Sequence, residues 1–549
     1  MQRSVRLIAA LLVLSCIAPA ARLYGDDEKT KPEAKAEAKP DTKTAEKPAP
    51  AEITTQGSVD VGGQHIPYNA IAGIITVGAT DPQDAQLGVD GKPLPGSQLA
   101  LDEPKEPKDA PPTARMSYFA YFKKDAKAED RPITFFYNGG PGSSTVWLHM
   151  GSLGPKHVMT DTDQHMPAAP YKLTDNPQSL LDVSDLVFID MPGTGFGRLM
   201  GKDSEKAFWG IDQDANAFAR FIQRFITKYN RWNSPKFLFG ESYGTTRSSV
   251  LVDILENGKS FDINGVILLS QIFNFTTDID LPSLNPGVDL AYELALPTYA
   301  ATGWYHKKLP QQAPALEPFL KDVESFATGA YAHALALGTD VTAEEKQSVA
   351  EKLHEYTGLP TAYWVKANLR VNGGQFEKTL QDEDNLTTGR LDTRFSGPSL
   401  NPLSEGAEYD PQSSAISSAY VSLFNDYVRK DLKYGEGQTY LPSALFGGAQ
   451  WDFKHNNNPI NVNVANDIAE AMKTNPRLKV MVNGGYYDLA TPFFAAQYEE
   501  KHLPIPQSLA KNIEYDWYES GHMVYVRDES LKQLHDRVAA FITKTQSEK

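Results

Sequence analysis

The chain has 549 residues, 41% of them hydrophobic and 22% charged, and a formal net charge of −16 at pH 7. That length and apolar content are enough for a large buried core and point to two or more domains. A bulk acidic surface argues against nucleic acid or an anionic membrane as a partner.

Residues 1–25 read as an export signal. Arg3 and Arg6 give a positive start, residues 7–18 a short apolar run, and Ala18-Pro19-Ala20 resembles a cleavage site. The run is too short for a membrane span, and no other stretch reaches spanning length. The single cysteine, Cys16, lies inside this segment, so no disulfide is expected in the body. That fits a bacterial exported protein, periplasmic or secreted. Val13-Leu14-Ser15-Cys16 also loosely resembles a lipoprotein cleavage box, which makes a lipid anchor through Cys16 the alternative to simple export. Residues 26–52 alternate Lys, Glu, Ala and Pro with almost no large apolar side chain. They cannot bury enough surface to offset ordering and are expected to form a disordered tether; Pro32, Pro40, Pro48 and Pro50 argue against a helix.

Residues 53–109 mix short apolar runs with Gly and Pro and suggest a few antiparallel strands. Strand and helix then alternate: strands at 116–122, 133–137 and 186–190, a helix at 212–228, a strand at 236–239, a helix at 245–257 and a strand at 265–269. This alternation predicts a mostly parallel sheet covered by helices, an α/β fold whose first part runs over 53–275. Residues 276–433 carry helical patterns at 289–301, 318–337, 343–356 and 413–432, and read as a mainly helical cap insertion. The α/β pattern resumes over 434–549, with helices at 465–473, 492–501 and 530–543 and strands at 478–482 and 513–518.

Gly240-Glu241-Ser242-Tyr243-Gly244 is a full G-x-S-x-G match, preceded by a strand and followed by a helix. In that context the glycines permit a sharp turn that lifts the serine clear of the sheet and aims backbone N–H groups at the reacting carbon. Ser242 is therefore the candidate nucleophile of an α/β-hydrolase fold. A serine hydroxyl needs a base oriented by an acid, in the chain order Ser, Asp or Glu, His. His522 lies on the loop after the strand 513–518, and Asp488 follows the strand 478–482. Their rivals are poorer: His535 falls in mid-helix and Asp516 inside a strand. Gly193-Thr194-Gly195-Phe196-Gly197 imitates a dinucleotide loop, but Arg198 stands where its third glycine belongs. No H-E-x-x-H, P-loop or cysteine cluster occurs, so neither metal nor cofactor is expected. Tyr299, Trp304 and Tyr305 are either pocket lining or packed core.

Four segments, in order, resemble the serine carboxypeptidase family: Asn138-Gly139-Gly140-Pro141-Gly142-Ser143-Ser144, Asp190-Met191-Pro192-Gly193-Thr194-Gly195-Phe196, Gly240-Glu241-Ser242-Tyr243 and Gly521-His522-Met523-Val524. The resemblance implies Ser242 as nucleophile, His522 as base and Asp488 as its orienter. It also implies an oxyanion hole from the backbone N–H groups of Gly140 and Tyr243, and a clamp for the substrate's terminal carboxylate from Asn138 and Glu241. Met523 would line the pocket. The substrates would be peptides with free C-termini. A carboxylate beside Glu241 is tolerable only if the two share a proton, which favours mild acid. The chain departs from the family where Ser143 replaces a cysteine, Met191 a glutamine, Gly244-Thr245 an Ala-Gly pair, and where Gly485 to Asp488 lacks the first aspartate of G-D-x-D. An esterase or acyltransferase on the same scaffold, and an inactive exported peptide-binding protein, are the competing functions.

Overall fold

The computed structural model describes residues 52–97, 109–280, 282–446, 450–456 and 462–548. The export signal, Cys16 and all of the tether but Glu52 lie outside the described residues.

Ten strands form the main sheet: β1 (Glu52–Val61), β2 (Gln64–Gly78), β3 (Thr113–Lys123), β4 (Ile133–Tyr137), β5 (Asp185–Ile189), β6 (Arg198–Met200), β7 (Lys236–Glu241), β8 (Gly265–Leu269), β9 (Lys479–Gly485) and β10 (Ile513–Tyr518). Their order is β1-β2-β3-β5-β4-β7-β8-β9-β10, with β6 paired to β3. The first three strands and the β3–β5 and β3–β6 pairs are antiparallel. Every pairing from β5 through β4 to β10 is parallel. The cause is visible in the residues: ITFFY, DLVFI and GVILL are buried at every position, as strands covered on both faces must be. The architecture is the α/β-hydrolase fold that the motif and alternation imply.

On one face of the sheet pack α1 (Ile211–Lys228), α2 (Tyr243–Asp253) and α7 (Ala465–Thr474), through residues such as Phe218, Phe225, Leu251 and Ile468. On the other lie α6 (Pro411–Lys430) and α9 (Asp528–Ser547). Helix α6 falls in the stretch read as cap, yet its Phe424 sits edge-on to Phe119 of β3 at 5.4 Å. A helix with Phe424, Tyr427 and Val428 on one side satisfies that side against the sheet itself.

The remaining helices of the insertion, among them α3 (Leu290–Tyr305), α4 (Leu316–Phe326) and α5 (Ala343–Thr357), enclose a separate apolar core with Leu320, Leu353, Trp364 and Phe376. That core is continuous with Tyr486, Tyr487 and Phe493, the last at the start of α8 (Phe493–Lys501). The helical run expected over 318–337 is divided by a wider turn at Ala327–Tyr331, which contains Gly329. Tyr299 is core: it stacks on Phe376 with centroids 4.0 Å apart and donates to the Val371 carbonyl at 3.0 Å. Trp304 is partly buried and donates to the Ala313 carbonyl. Tyr305 packs against Tyr487 at 5.3 Å, next to the Asp488 turn.

Candidate active site

The turn from β7 into α2 leaves Ser242 at φ 61°, ψ −131°, a conformation L-residues rarely hold. Its neighbours explain why the motif needs glycine. A Cβ on Gly240 would lie 2.2 Å from the Gly244 carbonyl oxygen, and one on Gly244 2.8 Å from that of Tyr137. The turn is held by Ser242 N donating to Leu269 O at 2.9 Å and by the Thr245 amide and hydroxyl donating to Ser242 O at 2.7 Å each. Ser242 is half-buried while Glu241 and Tyr243 on either side are buried.

Asp488, fully buried beyond the end of β9, accepts from Thr491 N (2.9 Å), Thr491 Oγ1 (2.7 Å) and His522 Nδ1 (2.8 Å). A proton on Nδ1 facing a carboxylate leaves Nε2 as the basic nitrogen. Burial pulls the His522 imidazole down, but the charge and hydrogen bond of Asp488 more than offset it, and the net shift is upward. Two consecutive residues at the end of β8 tie serine and histidine together: Leu269 O accepts from Ser242 N, and Ser270 Oγ donates to His522 O at 2.8 Å. The rivals lie elsewhere. Asp516 pairs with Arg537 at 3.2 Å, and His535 lies 3.2 Å from Asp182 and 3.1 Å from Asp536.

The loop after β4 brings Gly139, Gly140 and Asn138 to the elbow. A Cβ on Gly139 would lie 2.4 Å from Tyr243 N, and Gly140 has φ 110°. Asn138 Oδ1 accepts from Leu148 N at 3.1 Å, and its carbonyl accepts from Arg247 Nη1 at 2.7 Å. Arg247, itself fully buried on α2, donates to Asp214 Oδ2 at 2.6 Å and lies 4.3 Å over the Phe218 ring. The Asp190 motif anchors the far side. Its carboxylate accepts from Ser117 Oγ (2.7 Å), Thr145 N (2.9 Å) and Tyr440 OH (2.9 Å), and burial pushes its pKa to about 6. A Cβ on Gly195 would sit 1.9 Å from that carboxylate, so this glycine of the apparent dinucleotide loop makes room for an aspartate.

Asn138 Nδ2 donates to Glu241 Oε1 at 2.7 Å, and both residues are 3% exposed. Burial raises the Glu241 carboxyl to about 7 against the opposing pull of His522, Tyr525 and Asn138. Glu241 Oε2 and the hydroxyls of Tyr420 and Tyr525 are buried with no hydrogen-bond partner, so Tyr525 acts on Glu241 by proximity, without a well-formed bond. Met523 is buried among the apolar residues beneath α9. Three supports went unread in the sequence: Arg247, Asp214 and Thr491. Arg247 is the one charged side chain in the run 243–252, a signal for the first; Thr three places after Asp, where the Asp carboxylate can reach its backbone N–H, was one for the last. Among the described residues no group of three or more His, Cys, Asp or Glu is placed to hold a metal ion. Among them also, no helix is long and apolar enough to cross a membrane.

The family model described as serine carboxypeptidase matches residues 110–542. Curated relatives include serine carboxypeptidase-like 44 of Arabidopsis thaliana, 26% identical over 176 residues, covering 30% of this chain and 35% of that protein. A carboxypeptidase Y homolog of Arthroderma benhamiae is 30% identical over 174 residues, covering 30% and 32%. The chain thus spans about a third of the length of the curated relatives it matches. Among solved structures, proline iminopeptidase of Mycobacterium smegmatis is 12% identical with a TM-score of 0.33, covering 79% of this chain and 95% of that one. The peroxisomal α/β-hydrolase Lpx1 of Saccharomyces cerevisiae is 10% identical with a TM-score of 0.31, covering 86% and 89%. With the match extending over most of the chain, from before β3 into α9, this protein belongs to the serine carboxypeptidase family.

Proposed function

We propose that this protein is an exported serine carboxypeptidase that releases single residues from free peptide C-termini. The observation that carries the proposal is the Asp488–His522 bond of 2.8 Å, tied through the end of β8 to a strained serine elbow. His522 Nε2 takes the Ser242 proton as Ser242 Oγ attacks the last peptide carbonyl. The oxyanion is met by the backbone N–H groups of Gly140 and Tyr243. His522 returns the proton to the leaving amine, the free amino acid departs, and water activated by the same base hydrolyses the acyl-enzyme. Glu241, neutral in mild acid, shares a proton with the substrate's terminal carboxylate, and Asn138 supplies its amide. The cap over the cleft restricts access to short peptides and loose tails. Export to the periplasm or medium, with Cys16 as the alternative lipid attachment, accompanies the proposal.

The test is a mass-spectrometric time course on matched free-acid and C-terminally amidated peptides, with Ser242→Ala as control. Stepwise trimming of free acids only, lost in the variant, supports the proposal. One observation favours a rival. Asn138 and Glu241 are each only 3% exposed, so the clamp must shift to admit a carboxylate. Ester hydrolysis through Ser242 without any peptide trimming would establish an esterase or acyltransferase instead.

A further inference from the structure

The cap does more in this molecule than cover a cleft. A five-residue stretch of it, Arg390 to Arg394, passes between the loop that carries Asp488 and the loop that carries His522, and bonds to both. On the aspartate side, Leu489 N donates to Arg390 O at 3.1 Å and Thr393 N to Tyr487 O at 2.9 Å, so the residues before and after Asp488 are both held. On the histidine side, His522 N donates to Leu391 O at 2.6 Å and Gly521 N to Asp392 Oδ2 at 3.1 Å.

The stretch is itself rigid. Arg394 Nε donates to Asp392 Oδ1 at 2.9 Å and Nη2 to Oδ2 at 2.6 Å, a two-pronged pair with both side chains almost wholly buried. Arg394 Nη2 also reaches Ser520 Oγ at 3.2 Å. Thr393 is fastened to α3 of the cap, through Thr302 Oγ1 at 2.6 Å and through His306 Nε2 to its carbonyl at 2.6 Å. Contact is close enough to dictate residue type: a Cβ on Gly521 would lie 2.4 Å from Asp392 Cβ. The glycine before the histidine is therefore required by the cap.

We propose that Asp392 and Arg394 are positioning residues for the Asp488–His522 couple, and that the cap sets the geometry of the catalytic base through them. This rests on the triad assignment above. The loops at the ends of β9 and β10 also bond directly, Tyr486 N to Tyr518 O at 2.9 Å and Tyr487 N to Ser520 O at 3.0 Å, and the pair adds a tie at Gly521, the residue next to the histidine. A bidentate, buried pair suits the task because it fixes both distance and plane. Since Asp392 and Arg394 carry opposite charges, they leave the field at His522 little changed, and their effect is one of placement. They touch neither the serine nor the clamp, so substrate binding is unaffected.

The experiment measures kcat and KM for a free-acid peptide and for a small ester with the wild type, Asp392→Ala/Arg394→Ala, and Asp392→Asn/Arg394→Gln, alongside Ser242→Ala and His522→Ala. The alanine pair is expected to lose about 100-fold in kcat on both substrates, the scale of a 1 Å misplacement, with KM unchanged. The Asn/Gln pair, which keeps an acceptor for Gly521 N, is expected to recover most of that loss. Wild-type kcat in a folded alanine pair overturns the proposal, as does a loss that Asn/Gln does not relieve. Should the alanine pair fail to fold, Asp392→Leu/Arg394→Met, which fills the space but removes the acceptor for Gly521 N, decides: a lower kcat at constant KM supports the proposal, an unchanged kcat overturns it. The triad assignment fails separately, if Ser242→Ala or His522→Ala retains full activity.

Discussion

If Glu241 meets the substrate's terminal carboxylate as proposed, replacing it by glutamine isolates the one group whose protonation decides whether that carboxylate is welcome. The Glu241 carboxyl titrates at about 7, raised by burial, with His522 and Asp488 as the charged groups facing it. Its neutral fraction is then about nine-tenths at pH 6 and about a tenth at pH 8. Because kcat/KM reports the free enzyme, the rate on free-acid peptides should fall about tenfold across that interval from this group alone. Deprotonating His522 and every other shared group affects a free-acid peptide and a small ester without a terminal carboxylate alike, so the ratio of the two kcat/KM values removes them. In the wild type the ratio should fall about tenfold from pH 6 to pH 8. In Glu241→Gln, where a neutral donor is always present, it should be flat. A wild-type ratio that does not change with pH, or a variant that keeps the same slope, would refute the claim that Glu241 binds the carboxylate through a shared proton.

Other consequences follow from buried charge and close packing. Glu500, buried on α8 with both carboxyl oxygens unpartnered, is raised to about 8 by burial and by Glu499 beside it. Its native form holds a proton that the unfolded chain releases above about pH 4.5, so stability falls as pH rises through that window. Glu500→Gln should raise the melting temperature at pH 8.5, by a gain of at most about 5 kcal/mol, and leave it unchanged at pH 4. Arg247→Met strands the Asp214 carboxylate and releases the Asn138 carbonyl. It should cost about 3–5 kcal/mol in denaturant unfolding and lower activity, while Arg247→Met with Asp214→Leu restores stability without restoring activity. Gly521→Ala, pressed against Asp392, should destabilise by about 1–3 kcal/mol and reduce kcat on esters as well as peptides, measured by melting and steady-state kinetics.

The chemistry was legible in the sequence wherever it depends on local backbone. The elbow needs glycine at 240 because of contacts within the strand–turn–helix unit and at 244 because β4 passes close by at Tyr137, and G-x-S-x-G marked Ser242 as the candidate. The mainly apolar runs at 133–137 and 265–269 pointed to sheet strands because strands covered on both faces carry few polar residues, and Thr134 is accommodated by its bond to Ser184 Oγ. Asp488 and His522 were proposed from chain order and from their places after strands, and the structure brings them within 2.8 Å of each other. What depends on distant packing was not legible. Helix α6 has the same periodicity as the cap helices; only the fold shows that its aromatic side faces β3. The glycines at 193, 195 and 197 look like a phosphate loop until their neighbours are seen: the Trp209 ring beside Gly193, the buried Asp190 carboxylate beside Gly195 and the Arg115 carbonyl beside Gly197. Arg247, Asp214 and Asp392 are ordinary charged residues in the sequence. They become decisive because tertiary structure removes them from water, and a buried charge must find its partner wherever in the chain that partner lies. Sequence alone determined the reactive turn and the buried strands, where neighbours in the chain are neighbours in space; the structure decided how acid, base and cap are held together, because those contacts join residues far apart in the chain.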